Sequence, residues 1–407
     1  MSHAFPSTRD EALASMRNWM PKVANYAARR NHVEVGHASV SRLSPPIRNR
    51  LLLEQEVADE ALSLAGERAE KFVQEVYWRS YWKGWLEMRP IMWRRFLDEL
   101  EKVPDSDRHR AASVMDGESG VQIMDHFARE LVETGYMHNH ARMWFASFWV
   151  HVMRLPWQLG ADFFFRHLLD GDAAANTLSW RWVAGLHTKG KNYLVRRSNI
   201  ERYVDTEILN ACSDGMNRLH NAKTHTIQET EAPVAPNPEA FSPTSLEEDN
   251  DADGLWIHEE DLVPETSVLG AHEFKSIAVT APRDVWRSLG FSEGRIAYQS
   301  SCLDDAHRRA KDHWKLETNV LETKSLAEDI AAWASKASLK RVITLRPFTG
   351  PLGDRLIKVS ETLSTEGIEL ICLSRPEDAD LLPHATHGFF RFWKAVERDR
   401  LPAHFSR

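Results

Sequence analysis

Through the first half of the chain the apolar positions return at helical spacing. Residues 9–29, 55–66, 69–88, 121–134 and 138–153 each place large side chains at i, i+3, i+4 and i+7, the stripe of an amphipathic helix. Pro156, Gly160 and Gly171 punctuate the later helices. Strand-like runs are nearly absent before residue 220, so the pattern predicts an all-helical domain over residues 1–222. Residues 223–254 change character, with four prolines, many acids and few large apolar residues. That composition predicts a solvated linker, or an extended arm anchored by Phe241 and Leu246. From residue 255 to 407, short β-rich runs at 276–280, 295–300, 318–321, 341–345 and 368–373 alternate with helical stretches at 304–314, 325–337 and 355–366. Strand–helix alternation predicts a mainly parallel α/β sheet. The expected fold class is therefore α plus α/β. No GxGxxG or GxxxxGK[ST] follows any of these runs, so dinucleotide or P-loop binding has no support there.

Composition narrows the picture only modestly. A chain of 407 residues has room for two or three domains, and its 27% charged and 43% hydrophobic content is ordinary for a globular protein. The net charge of −8 argues against a general nucleic-acid coat. Charge is unevenly spread, however: residues 179–203 carry Arg181, Lys189, Lys191, Arg196, Arg197 and Arg202 against Glu201 alone, whereas residues 228–261 hold eleven acids and no lysine or arginine. A basic patch on an acidic protein can still bind phosphates locally. Three widely spaced cysteines (Cys212, Cys302, Cys372) exclude a disulfide framework and cannot supply the four thiolates of an iron–sulfur cluster. The start of the chain lacks the basic-then-apolar pattern of a secretory signal, and no apolar run is long enough for a membrane span. The expected location is the cytoplasm.

Residues 135–182 concentrate the chemistry. Five tryptophans (Trp144, Trp149, Trp157, Trp180, Trp182) crowd an Asp170-Gly171-Asp172 turn and two amides, Asn139 and Asn176. A buried indole N–H needs a partner, so tryptophans among polar residues point to a large planar ligand, an electron path, or both. Upstream, Glu75, Trp78, Arg79 and Trp82 share one helix face, a set suited to stacking on and hydrogen bonding a base or flavin. The same set also serves an amphipathic helix edge with a Glu75–Arg79 pair. Asn139, Arg142 and Met143 share another face, where Arg142 can pair with Asp170 or Asp172. His138 and His140 lack a third metal ligand at sensible spacing. Ser41-Arg42-Leu43-Ser44, with Tyr26 and Arg30 before it, forms either an anion nest or a plain helix cap. The two aspartates of the later turn are equally open to capping or to ligand hydroxyls.

In this order the four constellations resemble the flavin domain of the DNA photolyase/cryptochrome superfamily. The matching pieces are Tyr26 with Ser41–Ser44, then Glu75-Val76-Tyr77-Trp78-Arg79, then Gly135-Tyr136-Met137-His138-Asn139 with Arg142 and Met143. The last is Leu169-Asp170-Gly171-Asp172 with Asn176 and Trp180-Arg181-Trp182. The resemblance implies a U-shaped FAD in a helical bundle, active in its reduced form. It implies that Tyr26, Ser41, Arg42, Leu43 and Ser44 hold the diphosphate and neighbouring groups. Arg79, Asn139, Arg142, Asp170, Gly171, Asp172 and Asn176 would contact the remainder, with Arg142 paired to Asp170 and Asn176 near flavin N5. Trp180 and Trp157 look like the inner and middle members of an electron chain. Glu75, Trp78, Asn139, Met143 and Trp182 occupy the positions that contact a flipped-out pyrimidine dimer, and Arg30, Trp82 and His140 join this DNA side.

The implied activity is light-driven repair of cyclobutane dimers in UV-damaged DNA, against a cryptochrome-like FAD sensor as the rival. Val40 stands where the family often has threonine, so one phosphate contact is lost within this cofactor segment. No tryptophan lies near residues 100–105, leaving Trp93, Trp144 and Trp149 as candidates for the outer donor. The segment after Trp182 departs from the family pattern. An α/β domain follows the flavin domain instead of preceding it, which resembles the small bacterial photolyases of inverted domain order. That subclass implies a preference for single-stranded DNA and a C-terminal domain that seals the flavin. Residues 382–396 (LPHATHGFFRFWKAV) are apolar enough to dock on another domain or to complete their own core. A monomer without a membrane or antenna pigment is the expected state.

Overall fold

The first helix begins where Thr8 and Glu11 cap it reciprocally: the Glu11 N–H donates to the Thr8 hydroxyl, and the Thr8 N–H to the Glu11 carboxylate. In the computed structural model, which describes residues 5–187, 192–220, 222–227, 233–234, 244–246 and 251–401, this helix runs only over Arg9–Trp19. Pro21 lacks an N–H, so the predicted 9–29 stretch continues as a 3-10 turn and a short helix, Tyr26–Arg29. The other expected helices are Glu54–Ala65, Glu70–Glu87, Gln122–Thr134 and Asn139–Ser147, the last extended by a π-helical turn over Phe148–Val152. Two more, Trp157–His167 and Ala173–Val183, flank the acidic turn. Gly160 lies inside the first of these, where a Cβ would fall 2.2 Å from the Trp180 ring and 3.0 Å from Trp149. The missing side chain is what lets two indoles pack against this helix.

Five strands form one sheet: β1 (Asp253–Ile257), β2 (Ser276–Thr280), β3 (Thr318–Leu321), β4 (Arg341–Leu345) and β5 (Glu369–Leu373). Their order is β3-β2-β1-β4-β5 and every pairing is parallel, as strand–helix alternation predicts. The central strand, β1, is the one whose sequence looks least like a strand. It opens with a fully buried Asp253 inside the acidic stretch, paired with Arg341 at 2.6 Å and hydrogen-bonded to His272 at 2.9 Å. Residues 295–300 are not a strand: they belong to a long helix, Glu293–Trp314. Six residues of mixed apolar type imitate a strand, but the buried set Arg295, Gln299, Cys302 and Ala306 follows helical spacing, and the Ser292 hydroxyl caps the Arg295 N–H. Much of residues 223–254, Phe241 included, lies outside the described residues. In the described parts, the Pro233 carbonyl accepts from Arg89 and Leu246 packs on the core.

The sheet domain is locked to the helices by buried charge. The turn after the Ser44–Arg48 helix inserts Arg48, Asn49 and Arg50 beyond the carboxyl end of β1. Asn49 donates to the Glu259 carbonyl at 2.8 Å, while Arg50 reaches Asp261 at 3.0 Å and Asp378 at 2.7 Å. Asp261 also takes a two-pronged contact from Arg375 at 2.7 and 2.8 Å. Burial alone would raise the Asp261 carboxyl, but Arg375 and Arg50 hold it far below the usual carboxylate range. A second joint lies on the Glu70–Glu87 helix, where Gly84 admits the chain at Leu382: a Cβ there would meet the Leu382 carbonyl at 2.6 Å.

Asp261→Asn should cost about 3–5 kcal/mol by stranding two buried guanidiniums, read as a fall in the denaturant midpoint. Because the folded Asp261 pKa is depressed, its contribution is complete above the unfolded value, about 4, and drains away as pH falls below it. Helix propensity favours Gly84→Ala by about 1 kcal/mol. Overpacking should reverse that sign and destabilise by roughly 1–3 kcal/mol; a raised thermal midpoint would contradict the tight joint.

Candidate functional site

Asp170, Gly171 and Asp172 turn the chain between two helices, and this turn is the electrostatic centre of the helical domain. The Asp172 side chain caps the Ala173–Val183 helix, accepting from the Ala175 N–H at 2.7 Å. Asp170 accepts from Arg142 at 3.0 Å, one of the two pairings that spacing allowed and the one the resemblance implied. Arg142 is fixed in turn by donating to the Met137 carbonyl at 2.8 Å. Burial would raise both carboxyls. Arg142 and Arg79 overcome it at Asp170, and Lys83, Arg79 and Arg48 at Asp172, so both are held ionised below the usual range.

The helices bring cations to this turn in a way that spacing only partly foretold. Glu75, Arg79 and Lys83 fall at successive i+4 positions of the Glu70–Glu87 helix. Continuing that stripe one step beyond Arg79 would have found Lys83, which is fully buried against the Phe348 ring. From behind, Arg48 and Arg295 both donate to the Gly171 carbonyl, at 3.2 and 2.8 Å. A Cβ on Gly171 would sit 2.5 Å from the Arg295 guanidinium, which gives this glycine a packing reason. Neither arginine carried a local sequence signal, because each reaches the turn from far along the chain.

The Ser41–Ser44 segment shows real constraint. Arg42 holds a left-handed backbone (φ 55), rare for a residue with a side chain. Its guanidinium lies over Phe5 at 4.4 Å and Tyr136 at 5.6 Å. The Leu43 N–H donates to the Ser41 hydroxyl at 3.4 Å. Val40 and Ser44 are half-buried beside them, and Tyr26 packs edge-on against Phe72.

Several buried polar atoms here have no partner among the described residues: Arg42 Nε, Arg79 Nη1, Asp170 Oδ1, and the indole nitrogens of Trp157 and Trp180. Such orphans are costly and need a reason. A large ligand presenting acceptors, hydroxyls and phosphates to this region would satisfy both signs of orphan, so the residues fit a flavin nucleotide. Asn176 is held by donating to the Ala161 carbonyl at 2.8 Å, leaving its amide oxygen available. By contrast Trp144 and Trp149 are ordinary packed indoles, donating to Asn199 and to the Pro156 carbonyl at 2.9 Å each. Trp93 donates to Asp354 at 2.9 Å. Trp180 meets Trp149 edge-on at 6.1 Å, and Trp157 lies under Arg181 and against Phe96.

The remaining positions divide between the surface and the core. Glu75 is half-buried and paired with Arg30 at 3.1 Å and Lys71 at 3.0 Å. Trp78 stacks face to face on Phe389 from the far end of the chain, centroids 3.9 Å apart. Trp82 is buried between Trp78 and His187; burial pushes His187 down to about 4, helped by Arg181 and Arg89, so this ring is neutral. Asn139 is exposed, while Met143 and Trp182 are half-buried. His140 is engaged by the Asn31 carbonyl and the Tyr193 hydroxyl, with no third ligand to make a metal site among the described residues. Lys189 and Lys191 of the basic stretch lie outside the described residues.

A family model described as the FAD binding domain of DNA photolyase matches residues 72–317. Among curated proteins, a deoxyribodipyrimidine photo-lyase of Thermus thermophilus is 35% identical over 187 residues, 45% of this chain and 44% of that protein. Its counterpart in Salmonella typhimurium is 30% identical over 198 residues, 46% of this chain and 41% of that one. A cryptochrome DASH of Natronomonas pharaonis is 35% identical over 143 residues, 34% and 30% of the two chains. The chain thus spans less than half the length of these relatives.

Asp170→Asn should lower flavin retention at least tenfold, since it replaces a charged acceptor worth about 1.5–3 kcal/mol. The measurement is flavin released per mole of purified protein. Undiminished flavin would remove the acidic turn from the cofactor site.

Proposed function

The chain belongs to the DNA photolyase/cryptochrome superfamily through its FAD-binding domain, and we propose that it repairs cyclobutane pyrimidine dimers in UV-damaged DNA by light-driven electron transfer. One observation carries this reading: a single helix joins the flavin-type turn to the surface. Arg79 of Glu70–Glu87 is half-buried, with its Nη1 buried and its charge acting on Asp170 and Asp172, and the half-buried Glu75 and Trp78 lie on the same helix. A molecule held at the turn and a base held at Glu75 and Trp78 would then be neighbours.

Within this reading the protein's part is to bind, orient and exclude water. Arg42 and the Ser41–Ser44 turn hold the diphosphate of FAD, and Tyr26 and Val40 border it. Asp170 and Asp172 accept from ribose and ring N–H groups, with Arg142 keeping Asp170 charged. Arg79 and the Asn176 amide complete the cradle. Reduced FAD, when bound, supplies the photo-excited electron that splits the dimer and takes it back. Trp180 and Trp157 provide the path by which the flavin is reduced. Glu75 and Asn139 satisfy the polar edges of the flipped dimer while Met143 and Trp182 enclose its apolar ring, because an unpaired polar edge in such a pocket would be costly. Arg30 positions Glu75, Trp82 supports Trp78, and His140 joins the DNA side.

The preference for single strands rests on the small basic surface. Of the arginines after residue 195, Arg197 is paired with Glu201 and Arg202 lies against Tyr203. Where the basic stretch is partly engaged in this way, a flexible strand held by stacking is favoured over a stiff duplex. The sensor reading keeps its standing through the cryptochrome DASH relative.

Blue-light irradiation of the flavin-loaded protein in reductant, with UV-treated oligothymidine, separates these readings. Dimer loss should require light and proceed faster on the single strand than on the annealed duplex. No loss on either leaves a sensor; equal rates remove the strand preference. Trp182→Ala should weaken binding of the damaged strand by about 1–3 kcal/mol while keeping its flavin.

A further inference from the structure

The far end of the chain contributes to the surface beside Glu75 and Trp78. Residues from Leu382 onward run along the Glu70–Glu87 helix. The Tyr81 hydroxyl donates to the His387 carbonyl at 2.7 Å, and Arg89 donates to the Thr386 carbonyl at 2.8 Å. The final helix, Phe389–Arg400, then begins with two aromatic residues in different settings. Phe389 is buried and stacks on Trp78 with planes only 7° apart. Phe390 is 71% exposed, and no other described phenylalanine or tryptophan is exposed. The two rings lie 5.7 Å apart at 72°, so Phe390 extends an aromatic row that begins at Trp78. Arg391 and Lys394 are exposed on the same opening turns, Arg391 lying against His387 at 3.1 Å, and those turns carry no acid.

We propose that the first turns of this last helix bind the strand that flanks the lesion: Phe390 stacks on an adjacent unpaired base, and Arg391 and Lys394 meet its phosphates. The proposal rests on the repair reading above and names the contact that reading leaves open. A solvent-facing phenylalanine costs an apolar surface that folding does not repay, because Phe389, Phe392 and Trp393 already fill the underside of the helix. Stacking of bases on aromatic faces, with cations tracking the backbone, is the common chemistry of single-strand grooves. A duplex offers no such free base face next to the dimer, so the same residue would bias the protein toward single strands.

The test uses the full chain and fluorescent, undamaged oligothymidine, so that strand contact is measured apart from lesion contact. Phe390→Ala should weaken binding roughly 10-fold, and Phe390→Trp should restore it. Arg391→Gln with Lys394→Gln should flatten the slope of log affinity against log salt by about 0.7 per phosphate lost. The thermal midpoint of Phe390→Ala should stay at the wild-type value. Wild type that binds and repairs single strands while Phe390→Ala binds equally well overturns this proposal alone, and assigns the patch to another partner. Wild type that neither binds oligothymidine nor repairs it overturns both readings.

Discussion

Two guanidiniums that hold one main-chain carbonyl set the geometry on which the rest depends. Arg48 from the helical domain and Arg295 from the sheet domain both donate to Gly171. Asp170 and Asp172, on either side of it, are thereby pinned in a place where two carboxylates would otherwise repel. A buried carboxylate survives only with cations and hydrogen bonds around it. Here the cations come from four separate parts of the chain: Arg48, the Arg79–Lys83 helix, Arg142 and Arg295. The sheet domain is therefore part of the electrostatics of the acidic turn, to which it is docked through Asp261 and Arg295.

The tryptophans sort themselves by whether their N–H is satisfied. Trp144 and Trp149 have acceptors and behave as packing residues. Trp157 and Trp180 have none among the described residues. Gly160 allows Trp180 to lie close, since any side chain there would occupy its ring. Within one stretch, then, the same residue type occurs both with and without a partner for its N–H.

The α/β domain also reaches round the helices. Its last segment passes over Gly84 and ends with Phe389 stacked on Trp78. One face of that indole is consequently covered from within the chain, and Phe390 lies beside the covering ring. A surface assembled from both ends of the sequence explains why helix-face patterns alone located Trp78 but gave no hint of its neighbour.

Local pattern was enough for the helical half, the parallel sheet and the acidic turn. Helical periodicity, caps and strand–helix alternation are short-range properties, and residue types narrowed the partner of Arg142 to Asp170 or Asp172. The same locality misread residues 295–300, where six residues cannot distinguish a strand from one turn of a buried helix, and it passed over β1, whose buried Asp253 is acceptable only because Arg341 arrives from 88 residues away. The sequence by itself determined most of the elements and which residues could hold a flavin. Only the tertiary structure decided which of them carry orphaned polar atoms, which indoles are spoken for, and that Arg295 reaches Gly171 and Phe389 reaches Trp78. Burial and electrostatic pairing are properties of what lies nearby in space, and no periodicity along the chain records them.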